Sequence, residues 1–129
     1  MAIRVVRLGE RRARGEGLRL GTVRRPPRGL KKAAIAQRGY YDVWLPLLAP
    51  SAQAVRFARE RPWTAARWAQ YARRYRREMA QPGPRQAIEL LARLSHRAHF
   101  SVGCYCEDER RCHRSVLRTL LKESGAWMR

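Results

Sequence analysis

Apolar and polar positions alternate with two different periods along the chain, and the changes of period divide it into elements. Ile3, Val5 and Val6 among arginines predict a short first strand. Leu18, Leu20 and Thr22 alternate with Arg19, Gly21 and Val23, the period of a second. Between them, the glycines and charges of residues 9–17 predict an exposed loop. The second strand ends at Arg24-Arg25-Pro26-Pro27-Arg28-Gly29, since two prolines remove two backbone donors and Gly29 invites a turn. The pattern is weakly helical from Leu30 to Gln37, and Tyr41-Asp42-Val43-Trp44-Leu45 predicts a short helical turn that Pro46 opens.

Ser51 is the expected N-cap of a helix over Ala52–Arg59, which ends before Pro62. Trp68, Tyr71, Tyr75 and Met79, at spacings of 3, 4 and 4, mark the clearest helix in the chain. Its aromatic stripe reads as a seam facing the core, with Arg67, Arg73, Arg74, Arg76 and Arg77 around it. Gln81-Pro82-Gly83-Pro84 is expected to stop it. Ile88, Leu91 and Leu94 predict a helix from about Arg85 to His96, residues 99–104 a strand, and Val116 to Leu121 a last helix. The whole chain, 1–129, is expected to form a single α/β domain with residues 125–129 as a tail.

The apolar share, 45%, suffices for a core without staples. The charge changes the picture more: 29 Lys plus Arg stand against 10 Asp plus Glu, a net +19 carried almost entirely by arginine. Such a surface predicts an anionic ligand or nucleic acid as partner, and arginine suits bidentate phosphate contacts. The three cysteines, clustered between 104 and 112, argue for a reducing compartment rather than a secreted disulfide framework. With no apolar leader after Met1 and no stretch of membrane-spanning length, a soluble cytoplasmic protein without a membrane partner is expected. No oligomeric state follows from the pattern.

Candidate chemistry concentrates in Gly103-Cys104-Tyr105-Cys106-Glu107-Asp108-Glu109-Arg110-Arg111-Cys112-His113-Arg114-Ser115, a strand end, a polar turn and a helix start. Four readings of it stand side by side. The thiols can be structural, packing as small half-buried groups. They can be metal ligands, although a Cys-x-Cys pair and an adjacent Cys-His depart from the common two-residue spacing, so no metal or other cofactor is expected. A phosphatase-like loop would pair Cys104 with Arg110, but Glu107, Asp108 and Glu109 would repel a phosphate and no glycine turns the amides inward.

The fourth reading is an anion or nucleophile site. With Asp108 capping the turn, Cys112 lies in the first helical turn, where free N–H groups and the dipole favour a thiolate. His113 can then carry a proton and Arg114 neutralise charge, with Ser115 beside them. Asp42 and Glu78 are candidate acids from elsewhere in the chain, and Asp42 joins Cys112 and His113 in the expected catalytic set. On the proline-stiffened loop, Arg24 and Arg28 read either as anion clamps or as a solvated basic linker. Arg74 and Tyr75 of the long helix complete the expected ligand-binding set with Cys104, Arg114 and Ser115.

These residues carry a resemblance. Arg24-x-x-Pro27-Arg28-Gly29-x-x-Lys32, Asp42-x-Trp44-Leu45 running to Ala49-Pro50-Ser51, Trp68 with Arg74-Tyr75-x-x-Glu78, and Cys104-Tyr105-Cys106 followed by Cys112-His113-Arg114-Ser115 occur in one order. Over roughly residues 3 to 124 the chain resembles the domain-of-unknown-function 488 family, the YeaO-like proteins. The resemblance implies a small Rossmann-like α/β domain, a short, mostly parallel sheet flanked by helices. It also implies that the arginine-proline loop and the Cys-His-Arg turn meet at one end of that sheet. It brings no established activity. The family commonly has an aspartate and a tryptophan where this chain has Val23 and Pro26, which leaves Asp42 as the acid from this region. The expected function is binding of a phosphate-containing ligand, nucleotide or nucleic acid, at the arginines beside the Cys-His-Arg turn. The alternative is a thiol-dependent enzyme acting on a phosphorylated or nucleic-acid substrate.

Overall fold

In the computed structural model, which describes residues 1–60 and 62–129, four strands make one parallel sheet. They are β1 Ile3–Arg7, β2 Leu18–Gly21, β3 Val43–Trp44 and β4 Phe100–Cys104, in the order β1-β4-β2-β3. Central β4 pairs Phe100 with Ile3 on one side and with Leu18 on the other. All five of its residues are buried, as a parallel strand covered on both faces requires. Among the described residues, five α-helices connect and flank the strands: α1 Lys32–Gln37, α2 Ala52–Arg59, α3 Ala65–Met79, α4 Pro82–Leu94 and α5 His113–Glu123. The chain is thus a small α/β domain. No helix among the described residues is long and apolar enough to cross a membrane.

One face of the sheet carries the main core. Ile3, Leu20, Phe100 and Val102 pack there against Tyr75 and Met79 of α3, Ile88 and Leu91 of α4, and Val116, Leu117 and Leu121 of α5. Each helix turns an apolar stripe inward, as its periodicity predicts. Tyr71, Tyr75 and Met79 are buried and Trp68 packs against the same core. Ser51 and Thr64 cap α2 and α3 by accepting from the N–H groups of Ala54 and Arg67.

Three local expectations turned out otherwise. Residues 41–45 form no helical turn: Asp42 N–H donates to the Arg19 carbonyl and Leu45 N–H to that of Gly21, so Val43 and Trp44 become an edge strand. Pairing across the sheet outweighs so short a local pattern. The prolines at 82 and 84 begin α4 rather than merely ending α3, because proline in a first turn gives up an N–H that has no helical partner. The C-terminal segment does not trail away. Ile3 N–H donates to the Trp127 carbonyl and Arg129 N–H to that of Ile3, and the Trp127 ring stacks on His96 at 4.2 Å.

The loop before β2 also does more than stay exposed. It places the carboxylate of Glu16 under the sheet, where Arg19 Nε and Nη2 donate to it at 2.8 and 3.0 Å and the Ser101 hydroxyl at 2.6 Å. Arg19 Nη1 reaches the carbonyls of Glu10 and Gly39. This polar cluster occupies the sheet face opposite the helical core. Gly17 makes the approach possible: its φ is +80°, and a Cβ there would stand 1.9 Å from the His99 carbonyl oxygen. Gly17→Ala should therefore destabilise the protein by about 2–3 kcal/mol in urea unfolding, from left-handed strain and the displaced β4 start together. A change under about 0.5 kcal/mol, the size of an ordinary surface substitution, would show that the loop can give way.

Candidate functional site

Parallel strands all end at the same edge, so the segments leaving β2, β3 and β4 meet beyond it. They enclose, with α2, a cavity of about 1420 Å³. The arginine-proline loop supplies Arg24, Arg25 and Arg28; α2 supplies Arg56 and Arg59; the turn after β4 supplies Arg111. Tyr40, Trp63, Tyr71 and Tyr105 add aromatic wall. Cys104, Cys106, Cys112 and His113 also line it, at the strand end and the start of α5.

The arginine loop is braced as well as stiff. Arg24 Nε donates to the Pro50 carbonyl at 3.0 Å and its Nη2 to those of Pro46 and Ala49 at 3.2 Å each. Arg24 thus ties its loop to the turn after β3, while Arg25 and Arg28 are exposed. Tyr105 holds the other side, its hydroxyl donating to the Arg25 carbonyl at 2.9 Å and its ring meeting Tyr40 edge-on. A carbonyl-anchored loop loses little freedom when its arginines bind.

The thiols gather more tightly than their spacing suggested. The Sγ atoms of Cys104, Cys106 and Cys112 all lie within 4.8 Å of one another, none in a disulfide. Asp108 does act as a cap, but for the short turn Glu109–Arg111, accepting from Arg110 N–H. Cys112 is itself the N-cap residue of α5, one position earlier than expected, and its side chain makes no capping bond.

The three thiols differ in acidity. The S–H that Cys104 donates to Cys106 at 3.8 Å, the adjacent Cys112 thiol and the Arg114 charge hold the Cys106 thiol well below its ordinary value. Giving that bond to Cys106, lying beside Cys112 and being buried push the Cys104 thiol up. Cys112 is lowered, first by Cys104 and further by His113.

His113 is locked by its partners. Nε2 lies 2.8 Å from the Thr22 carbonyl, which can only accept, so Nε2 carries the proton. The Thr22 hydroxyl, already donating to the Gly103 carbonyl, accepts from the same Nε2 at 3.3 Å. Nδ1 is the ring nitrogen 3.7 Å from Cys112 Sγ. Tyr75 supports the ring from below, 5.2 Å between centroids, with its hydroxyl on the Leu48 carbonyl at 2.7 Å.

Of the expected catalytic and ligand-binding residues, Arg24, Arg28, Cys104, Cys112 and His113 line one cavity, and Asp42, Arg74, Tyr75, Arg114 and Ser115 lie outside its lining. Arg114 is buried with Nη1 on the Val6 carbonyl at 2.7 Å and Nη2 on that of Cys106 at 2.5 Å, so it braces the cysteine turn. Ser115 returns its hydroxyl to the Cys112 carbonyl. Arg74 engages Glu78 and Gln53, and Glu78 in turn accepts from the N–H and hydroxyl of Ser51 at the start of α2. Tyr75 sits in the core.

Asp42 accepts both terminal nitrogens of Arg12 at 2.8 and 3.0 Å and the Arg19 N–H at 2.8 Å. Burial opposes its charge, but these donors hold its carboxyl below the usual range. Cys106 and Arg111 lay in the candidate stretch but outside the expected site set, and Arg56, Arg59 and Trp63 were not singled out by the sequence. A three-residue interval put Arg56 and Arg59 on one face of α2, but so arginine-rich a chain offered nothing to set that face apart.

A family model described as the active DUF488-N3 subclade, DUF488-N3a, matches residues 3–125. No curated protein and no solved structure matches the chain.

Proposed function

The chain belongs to the DUF488 family, in the subclade described as active, and from that premise we propose that it binds a phosphate-bearing ligand with an aromatic ring, a nucleotide in the simplest case. The observation that carries this is the convergence of arginines from three separate segments on one cavity with aromatic walls. Phosphate oxygens would take the forked donors of Arg25, Arg28 and Arg111, and a base would lie against Trp63 or Tyr105. A nucleic-acid end fits the same chemistry. Three free thiols in one site suit a reducing compartment, and the cytoplasm is where we place it.

The test is calorimetric titration of the reduced protein with a nucleoside diphosphate. Binding at one site per chain that weakens steadily as salt rises is expected, because exposed arginines are screened. Absence of binding, or binding indifferent to salt, would overturn the reading.

A second reading, thiol-dependent chemistry on that ligand, is favoured by the His113 ring, fixed by the Thr22 carbonyl with its Nδ1 3.7 Å from Cys112 Sγ. Phosphorus NMR of nucleoside phosphates incubated with wild type and Cys112→Ser checks it. Product formed only by wild type supports turnover; unchanged phosphates leave binding alone.

A further inference from the structure

We propose that Cys104, Cys106 and Cys112 form a metal site for one thiophilic cation of the zinc class, with its fourth coordination position open to the cavity. The proposal rests on the sulfur geometry and is independent of phosphate binding. Spacing along the chain argued against a metal, because a Cys-x-Cys pair and a cysteine six residues later match no common pattern. Spacing in space is what an ion reads. Cys104 comes from the end of β4, Cys106 from the loop beyond it and Cys112 from the start of α5, three backbone directions that converge.

The dimensions suit the ion. Zinc–sulfur bonds of about 2.3 Å in a tetrahedron put the sulfurs about 3.8 Å apart. Cys104 and Cys106 are separated by 3.8 Å, and no pair in the trio exceeds 4.8 Å, so the widest has to close by about 1 Å at most. The donors that converge are three sulfurs with no carboxylate among them, which disfavours magnesium and calcium and selects a soft or borderline ion.

Charge agrees with this. Three thiolates around a divalent ion leave one net negative charge, and the Arg114 guanidinium is fixed behind the site on the Cys106 and Val6 carbonyls. Its Nε is buried without a hydrogen-bond partner, so its positive charge is not otherwise fully compensated. All three cysteines line the cavity, which leaves the remaining coordination position facing the arginine rim. Three protein ligands and one open position are what a ligand-accepting zinc site has, as opposed to a closed structural one. A loaded site and a free Cys112 thiol are alternative states of the same atoms.

The experiment is cobalt(II) titration of the fully reduced protein under exclusion of oxygen, followed by competition with zinc. Expected are a sulfur-to-cobalt charge-transfer band and tetrahedral visible bands that saturate at one equivalent and vanish when zinc is added. Cys106→Ser, at an exposed position, should keep the wild-type circular dichroism and bind zinc more than about tenfold more weakly, since losing even an outer-shell partner costs about 10–100-fold. One equivalent of zinc should also protect wild-type Cys106 from iodoacetamide. No charge-transfer band, equal affinity in Cys106→Ser, or unprotected Cys106 would each overturn the proposal. Arg28→Ala should leave the zinc stoichiometry untouched, which separates this result from any failure of nucleotide binding.

Discussion

Arg19→Ala is expected to lower the unfolding free energy by about 3–5 kcal/mol, the cost of breaking a buried ion pair from one side. A small domain has about 5–15 kcal/mol in all, so the variant should be partly unfolded near its working temperature. Arg19 is 1% exposed and Glu16 is 3% exposed, and truncation would leave the carboxylate under the sheet with only Ser101 and the Ala13 N–H. The carbonyls of Glu10 and Gly39 would lose their donor as well. Replacing both partners, Arg19→Met with Glu16→Leu, should cost less than the single change, because no buried charge is orphaned. Urea denaturation checks both, and a loss under about 1 kcal/mol in Arg19→Ala would show that solvent reaches the pair.

The same cluster sets an acid limit. Burial raises the Glu16 pKa, but Arg19, Ser101 and Ala13 N–H override it and bring it from 4.5 down to about 2. A carboxyl whose folded pKa is depressed contributes its stability above the unfolded value. That contribution is complete above about pH 4.5 and is lost as pH falls toward 2. Wild type should therefore lose unfolding free energy across this window, and Glu16→Gln should lack that part of the slope.

Nucleotide affinity should collapse in Arg28→Ala/Arg111→Ala. Each charge-assisted hydrogen bond contributes about 1.5–3 kcal/mol, so removing both weakens binding by about 10²–10⁴-fold if they act independently. These two are chosen because their side chains are exposed at the cavity, whereas Arg24 also holds three carbonyls and its loss would loosen the loop itself. Arg74→Ala, on α3 and tied to Glu78 and Gln53, should bind as wild type does. Calorimetry on the three proteins decides the matter: equal affinity in the double variant, or loss in Arg74→Ala, places the phosphate elsewhere.

The Arg74 comparison shows how side-chain direction divides the candidates. Trp68, Tyr71, Tyr75 and Met79 predicted both the presence and the inward face of α3, since helical period alone puts them on one stripe. The same period says nothing about which outward arginine meets a ligand and which meets Glu78. Asp42 was drawn to the site by residue type, and Arg12, distant in sequence, claims it instead. Arg114 sits beside His113 in the chain yet turns the opposite way, because helical neighbours point about 100° apart.

By itself the sequence determined the strands β1, β2 and β4 and the main helices, the cap at Ser51, the core stripes, the basic composition and the family. Those properties follow from local period, local turn chemistry and composition. Only the tertiary structure decided that β3 is a strand, that Glu16 and Arg19 form a buried pair, that the Pro46–Ser51 turn anchors Arg24, and that the Cys104, Cys106 and Cys112 sulfurs meet. Each of those depends on parallel strands bringing segments that are far apart in the chain to one edge or face of a sheet, and no local pattern records which side chains will then be neighbours.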